Sequence, residues 1–243
     1  MREIVEIPVV WLQGAACSGC AVSLLNSLAP GAGSLVLREL APGKHLSLRF
    51  LATVMAGQGP QVMEVLKDSA ARDRGKYVLV LEGSVPLGDD RYAVLGEGAD
   101  GRERSCRELA AELAGGAMAA VAMGTCSSFG GIPAGAPNPT GAVSLRQLLQ
   151  QEGVGTPVVN IPGCPPHPDW LVGTLVAVMR YGLDKLRLDE LARPTIYYGR
   201  NIHETCPRRA DFDAGRFARQ FGQSGCLYEL GCKGPLTFAD CPT

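Results

Sequence analysis

The nine cysteines of this 243-residue chain fall mainly into two groups. The first is scattered: Cys17 and Cys20 in WLQGAACSGC, Cys126 in MGTCSSFGG, Cys164 in IPGCPPHP. The second is compact: His203 and Cys206 in NIHETCPRR, then Cys226 and Cys232 in GCLYELGCKGP. Thiolates are the ligands that iron–sulfur clusters take. Two such sets in one small chain suggest a protein that moves electrons.

Each set has another reading. Cys17-x-x-Cys20 alone suits a redox dithiol, a zinc knuckle or half of a cluster site. Cys126 and Cys164 lie in matching contexts, which favours a cluster. His203 with three cysteines also fits structural zinc. A second cluster extends an electron path and a zinc ion does not, so the first set favours a cluster here too. Cys241 sits in the last three residues and either begins a third site or has no metal role. Cys106, in RSCRELAAEL, reads as a small buried hydrophobe. His45 and His167 read as packing or hydrogen-bonding residues, and Trp11 and Trp170 as core or interface. Glu82 closes an apolar run in LEGSVP, where a carboxylate is costly unless paired or useful. It either serves the cysteine site or makes a salt bridge or helix cap.

The elements that must position these residues alternate. Nearly continuous apolar runs predict strands at Val9–Gln13, Tyr77–Glu82, Ala117–Met123 and Pro157–Ile161, with a weaker one at Ser34–Leu40. Helical periodicity predicts helices at Gly19–Leu28, Gln61–Asp73, Ser105–Leu113, Val143–Gln151 and Pro168–Tyr181. Gly130–Gly141 reads as a long loop. This is the pattern of a doubly wound α/β domain over residues 1–188. In such sheets ligands bind beyond the carboxyl ends of the strands. Cys17, Cys20, Cys126 and Cys164 each follow a predicted strand, and Glu82 ends another, so residues distant in sequence can meet. Residues 189–243 read as a small irregular domain organised by metal rather than by a large apolar core.

Composition removes other classes. A net charge of −1 and 6% aromatic residues give no footing for nucleic acid. No apolar run reaches the roughly 18 residues of a membrane span. No GxxxxGK[ST] loop supports nucleotide hydrolysis. The N-terminus shows neither a secretory leader nor a twin-arginine pair. Cytoplasmic residence is therefore expected, with a periplasmic or membrane-associated placement as the alternative if a leader or anchor is missing from the sequence.

In their order and wording, WLQGAACSGC, LEGSVP, GTCSSFGGIPA, PGCPPHPDW and IHETCPR with GCLYELGCKGP resemble the small, electron-transferring subunit of nickel–iron hydrogenases, from about Pro8 to Thr243. The resemblance implies a flavodoxin-like domain with a proximal 4Fe-4S cluster on Cys17, Cys20, Cys126 and Cys164. It implies a distal 4Fe-4S cluster on His203, Cys206, Cys226 and Cys232. Cys241 matches the first ligand of a medial 3Fe-4S or 4Fe-4S cluster, which needs further cysteines after this position; the sequence stops at Thr243, so either it is truncated or that cluster is incomplete or absent. Glu82 matches a glutamate near the subunit interface, implicated in proton movement. No catalytic residue is expected on this chain, because hydrogen reacts on a partner large subunit and electrons leave to a downstream acceptor. Oxygen-tolerant members carry extra cysteines where this chain has Gly19 and Gly131, so a four-cysteine proximal cluster is expected. Two other readings remain: a protein related to the cluster-bearing subunit of respiratory complex I, and a non-redox zinc-binding interaction protein.

Overall fold

The computed structural model describes residues 5–27, 31 and 39–240. They form two compact units, Met1–Leu186 and Arg187–Thr243.

The first unit is built on a six-stranded sheet ordered β2-β3-β1-β4-β7-β8. Its strands are β1 (Val5–Gln13), β2 (Glu39–Ala41), β3 (Lys44–Leu51), β4 (Val78–Glu82), β7 (Ala119–Met123) and β8 (Val158–Ile161). β2 pairs antiparallel to β3 at one edge and the other pairings are parallel. The five parallel strands thus run second, first, third, fourth, fifth, the flavodoxin-like order, with the switch point between β1 and β4. A hairpin of β5 (Val94–Glu97) and β6 (Glu103–Ser105) stands apart.

Every residue of β4 and β7 is buried, as central strands covered on both faces require. Val10, Leu12, Leu79, Leu81, Ala120 and Ala122 pack under helices α2 (Pro60–Arg72), α3 (Cys106–Gly116) and α5 (Leu145–Gln151). Trp11 and Val80 face the other way, with Leu171 and Leu175 of α6 (Pro168–Tyr181). The helix starts follow from sequence. Ser105 with Glu108, and Ser144 with Gln147, close capping boxes, while Pro60 and Pro168 open their helices. His167 caps α6, its Nδ1 accepting the Asp169 N–H at 3.3 Å.

Several elements depart from the sequence reading, among them the β5–β6 hairpin, which it did not predict. The apolar-run rule predicts no strand at β3. Lys44–Leu51 alternates, with Leu46 and Phe50 buried and Arg49 exposed, so it lacks the continuous apolar run of a central strand. The weak strand expected at Ser34–Leu40 falls largely on residues 32–38, outside the described residues, and only its end lies in β2. Helix α1 (Gly19–Leu25) is shorter than expected, and Leu28 also lies outside the described residues.

The second unit contains short helices α7 (Thr195–Tyr198), α8 (Ile202–Thr205) and α9 (Arg209–Asp213), with 3-10 turns at Tyr228–Leu230 and Gly234–Leu236. Among its described residues only Tyr198, Ala218 and Cys226 are buried hydrophobics. That is too little apolar burial to order such a segment alone.

Candidate functional site

The carboxyl edge of the sheet gathers the first cysteine set. Cys17 follows β1, and Cys20 lies in the first turn of α1. Cys126, expected in a loop, lies instead in the first turn of a six-residue helix, α4 (Gly124–Phe129), which starts directly after β7. Cys164 follows β8. Bonds between loops hold these ends together. Gly14 N donates to Glu82 O at 2.8 Å and Ala15 N to Ser84 O at 2.9 Å. Thr125 N donates to Gly163 O at 2.9 Å, and Gly163 N returns to Thr125 Oγ1 at 3.1 Å. Ser23 Oγ donates to Pro166 O at 2.8 Å, tying α1 to the Cys164 loop.

Two of the thiols, Cys20 and Cys126, feel the others. Burial first, then Glu82, then Cys17, Cys126 and Cys164 push the Cys20 thiol up to about 12. Burial likewise raises Cys126, the Ile132 N–H donating to it opposes that, and Cys164, Cys17 and Glu82 raise it further. Ionising all four thiols beside a carboxylate would need compensating positive charge at the same place, as bound metal ions would supply. The backbone is shaped to the thiols as well. A Cβ at Gly124 would stand 2.5 Å from Cys20 Sγ, and one at Gly131 2.6 Å from Cys126 Sγ. Cys17 and Cys164 are exposed while Cys20 and Cys126 are partly covered, so the set opens to the surface on one side.

Glu82 does a structural task that residue type alone left open. Ser18, the residue before α1, has φ 63 and its side chain makes no capping bond. Glu82, 1% exposed, substitutes from β4. Its Oε1 accepts Cys20 N at 2.9 Å and its Oε2 accepts Ala21 N at 3.2 Å. Trp11 Nε1 at 3.1 Å and Gln13 Nε2 at 3.2 Å donate to Oε2 as well. The carboxylate therefore satisfies the helix N-terminus that carries Cys20.

In the second unit His203, Cys206, Cys226 and Cys232 all line one apolar cavity of about 430 Å³. Ile202, Leu227 and Pro235 wall it, and Arg208 and Lys233 bring positive charge to its lining. Gly234 N donates to Cys232 Sγ at 3.3 Å. Asn201 Oδ1 accepts His203 N at 2.8 Å and its Nδ2 donates to Pro235 O at 2.6 Å, joining the two halves of the site. Among the described residues no three His, Cys, Asp or Glu side chains close on a point as one metal ion would need. One histidine and three cysteines around one cavity are a donor set that either a zinc ion or an iron–sulfur cluster can take.

Cys241 lies outside the described residues. Cys106 is wholly buried at the start of α3, and burial pushes its thiol up to about 12, which suits an inert core residue. The sequence reading missed the amides of Ile132 and Gly234 that serve cysteine sulfurs, because a backbone donor leaves no mark in residue type. It also passed over Phe212, whose ring meets His203.

Residues 17–178 match the family model of the NADH ubiquinone oxidoreductase 20 kDa subunit, and residues 198–243 that of the C-terminal region of the NiFe/NiFeSe hydrogenase small subunit. The periplasmic [NiFeSe] hydrogenase small subunit of Desulfomicrobium baculatum is 42% identical, over 97% of this chain and 76% of its own length. The hydrogenase-2 small chain of Escherichia coli is 42% identical over 97% of this chain, which spans 60% of that relative's length. The quinone-reactive Ni/Fe-hydrogenase small chain of Wolinella succinogenes is 40% identical over 97% of this chain and 64% of its own. Among solved structures, the reduced, active Ni-Fe-Se hydrogenase of Desulfomicrobium baculatum superposes with a TM-score of 0.92, at 42% identity over 98% of this chain and 86% of that one.

Proposed function

The chain belongs to the nickel–iron hydrogenase small subunits, and on that footing we propose that it relays electrons between a large-subunit nickel–iron site and an external acceptor. One observation carries the reading. Two separate four-donor sets exist, one at the carboxyl edge of the sheet and one around a cavity in the second unit. The complex I relative accounts for the first unit only, since its family model stops at residue 178.

Cys17, Cys20, Cys126 and Cys164 would hold a proximal 4Fe-4S cluster, and His203, Cys206, Cys226 and Cys232 a distal one. Cys241 would give the first ligand of a medial 3Fe-4S or 4Fe-4S cluster. Such clusters, when bound, supply one-electron carriage. The chain's own residues fix their surroundings. The Ile132 and Gly234 amides place positive dipoles on cysteine sulfurs, and Arg208 and Lys233 bring positive charge to the second cavity. All four favour the more reduced, more negative state.

The open side of the first set is where the large subunit sits. Phe129 is 43% and Ile132 85% exposed beside it, an apolar surface that a partner would use to exclude water. Ile132→Asp is expected to weaken the heterodimer about tenfold or more, read by analytical ultracentrifugation. Unchanged affinity would place the large subunit elsewhere.

Relatives named periplasmic and quinone-reactive favour the periplasmic or membrane-associated placement over the cytoplasmic one. Among the described residues no helix is long and apolar enough to cross a membrane.

The test is anaerobic purification with the large subunit, followed by iron, sulfide, zinc and nickel analysis and EPR of both redox states. About eight irons per small subunit supports two 4Fe-4S clusters, and about eleven or twelve supports a third. Zinc with little sulfide overturns the relay.

A further inference from the structure

A metal-ligating histidine almost always donates its second ring nitrogen to a carboxylate, carbonyl or water, which fixes the ring's orientation. His203 has no such partner among the described residues. Its N–H to Asn201 fixes the main chain, not the imidazole. What meets the ring is Phe212, at 4.4 Å between centroids and 81° between planes, an edge-to-face contact.

Phe212 is itself held from two further sides. Phe217 packs on it at 5.9 Å and 81°, and Tyr228 at 5.5 Å and 82°. Phe217 and Tyr228 also meet each other at 6.1 Å. This aromatic bracket is tied to the ligand loop: Phe217 bridges to Cys226, Ala218 N donates to Cys226 O at 2.8 Å, and Cys226 N donates to Arg216 O at 2.9 Å. The ring that touches the imidazole is thus referenced, through one neighbour, to another donor of the same set. α9, which carries Phe212, starts three residues after Cys206.

We propose that Phe212 is the positioning residue for His203, setting the imidazole by ring packing where such ligands ordinarily use a hydrogen bond. The inference rests on the reading of His203 as a ligand of the second cluster. Removing the aromatic surface should loosen the ligand without removing it. Outer-shell losses of this kind cost about 10- to 100-fold in metal affinity.

The test uses the anaerobically purified heterodimer carrying ¹⁵N-labelled histidine. In wild type, one cluster should show ¹⁵N hyperfine coupling. Phe212→Leu, or Phe212→Met should the leucine variant not assemble, is expected to lose that cluster's signal about tenfold during titration with an iron chelator, with the other cluster unaffected. Phe212→Tyr should restore it. Phe217→Leu, which removes a contact to Phe212 but none to His203, should lose far less. Wild-type retention in the leucine and methionine variants, with the ¹⁵N coupling unchanged, overturns the positioning role and leaves the ligand assignment standing. Equal losses in the Phe212→Leu and Phe217→Leu variants make the bracket ordinary packing and also overturn it. Absence of ¹⁵N coupling in wild type overturns the ligand reading itself, and the inference with it.

Discussion

Gly131→Ala should weaken the hold on the first cluster in the assembled protein, lowering bound iron toward half that of a two-cluster chain and reducing the associated EPR signal. Two costs coincide. Gly131 has φ +58, a left-handed conformation in which alanine pays about 1 kcal/mol. The added Cβ would also lie 2.6 Å from Cys126 Sγ, 2.8 Å from its Cα and 3.0 Å from its N. A flexible side-chain tip could swing aside. The Cα and N of a residue in the first turn of α4 move only if the helix moves, and Cys126 moves with it. Gly153→Ala separates the two costs, since Gly153 has φ +68 and open space around the built Cβ. That variant should lose about 1 kcal/mol of stability and keep its iron. Full iron with an unshifted signal in Gly131→Ala would mean that Cys126 is not held where a cluster needs it.

The chemistry-bearing residues were legible because cysteine is rare and its neighbours are punctuated by glycine and proline. Strand ends were legible because central parallel strands are continuous apolar runs, and β4 and β7 are buried along their whole length. That same rule hid β3, whose exposed Arg49 and half-buried Ser47 break the run. The role of Glu82 could not be read from its own residue type, because the donors it serves come from β1 and from the start of α1. Phe212 was invisible for a related reason. Its value lies in a contact to His203 nine positions away, between two separate short helices, where the period of neither predicts which side chains meet. Residue type tells what a side chain can do, and only the packed fold tells what it is asked to do.

Glu82→Ala should lower stability by about 2–4 kcal/mol, because the removed carboxylate leaves buried donors without an acceptor. Trp11 Nε1 and Ala21 N are buried and lose the most, while Gln13 Nε2 retains Thr53 Oγ1 at 2.8 Å. Thermal unfolding of the purified heterodimer reads the effect. Glu82→Gln should fall between alanine and wild type. Glutamine keeps one acceptor oxygen but turns an NH₂ toward donors that need a second one. Iron content should follow the same order, since the freed helix start carries Cys20 and the first cluster loses a fixed ligand. Stability within about 0.5 kcal/mol of wild type in Glu82→Ala would remove the capping role. The glutamine variant also separates that role from the proton-path role implied by the resemblance. A capping residue loses stability and iron together, and hydrogen turnover falls only as iron falls. A proton-path residue loses turnover at full iron and near-wild-type stability, because the amide cannot pass a proton that the carboxylate can. The four donors around the carboxylate make the first pattern the expected one.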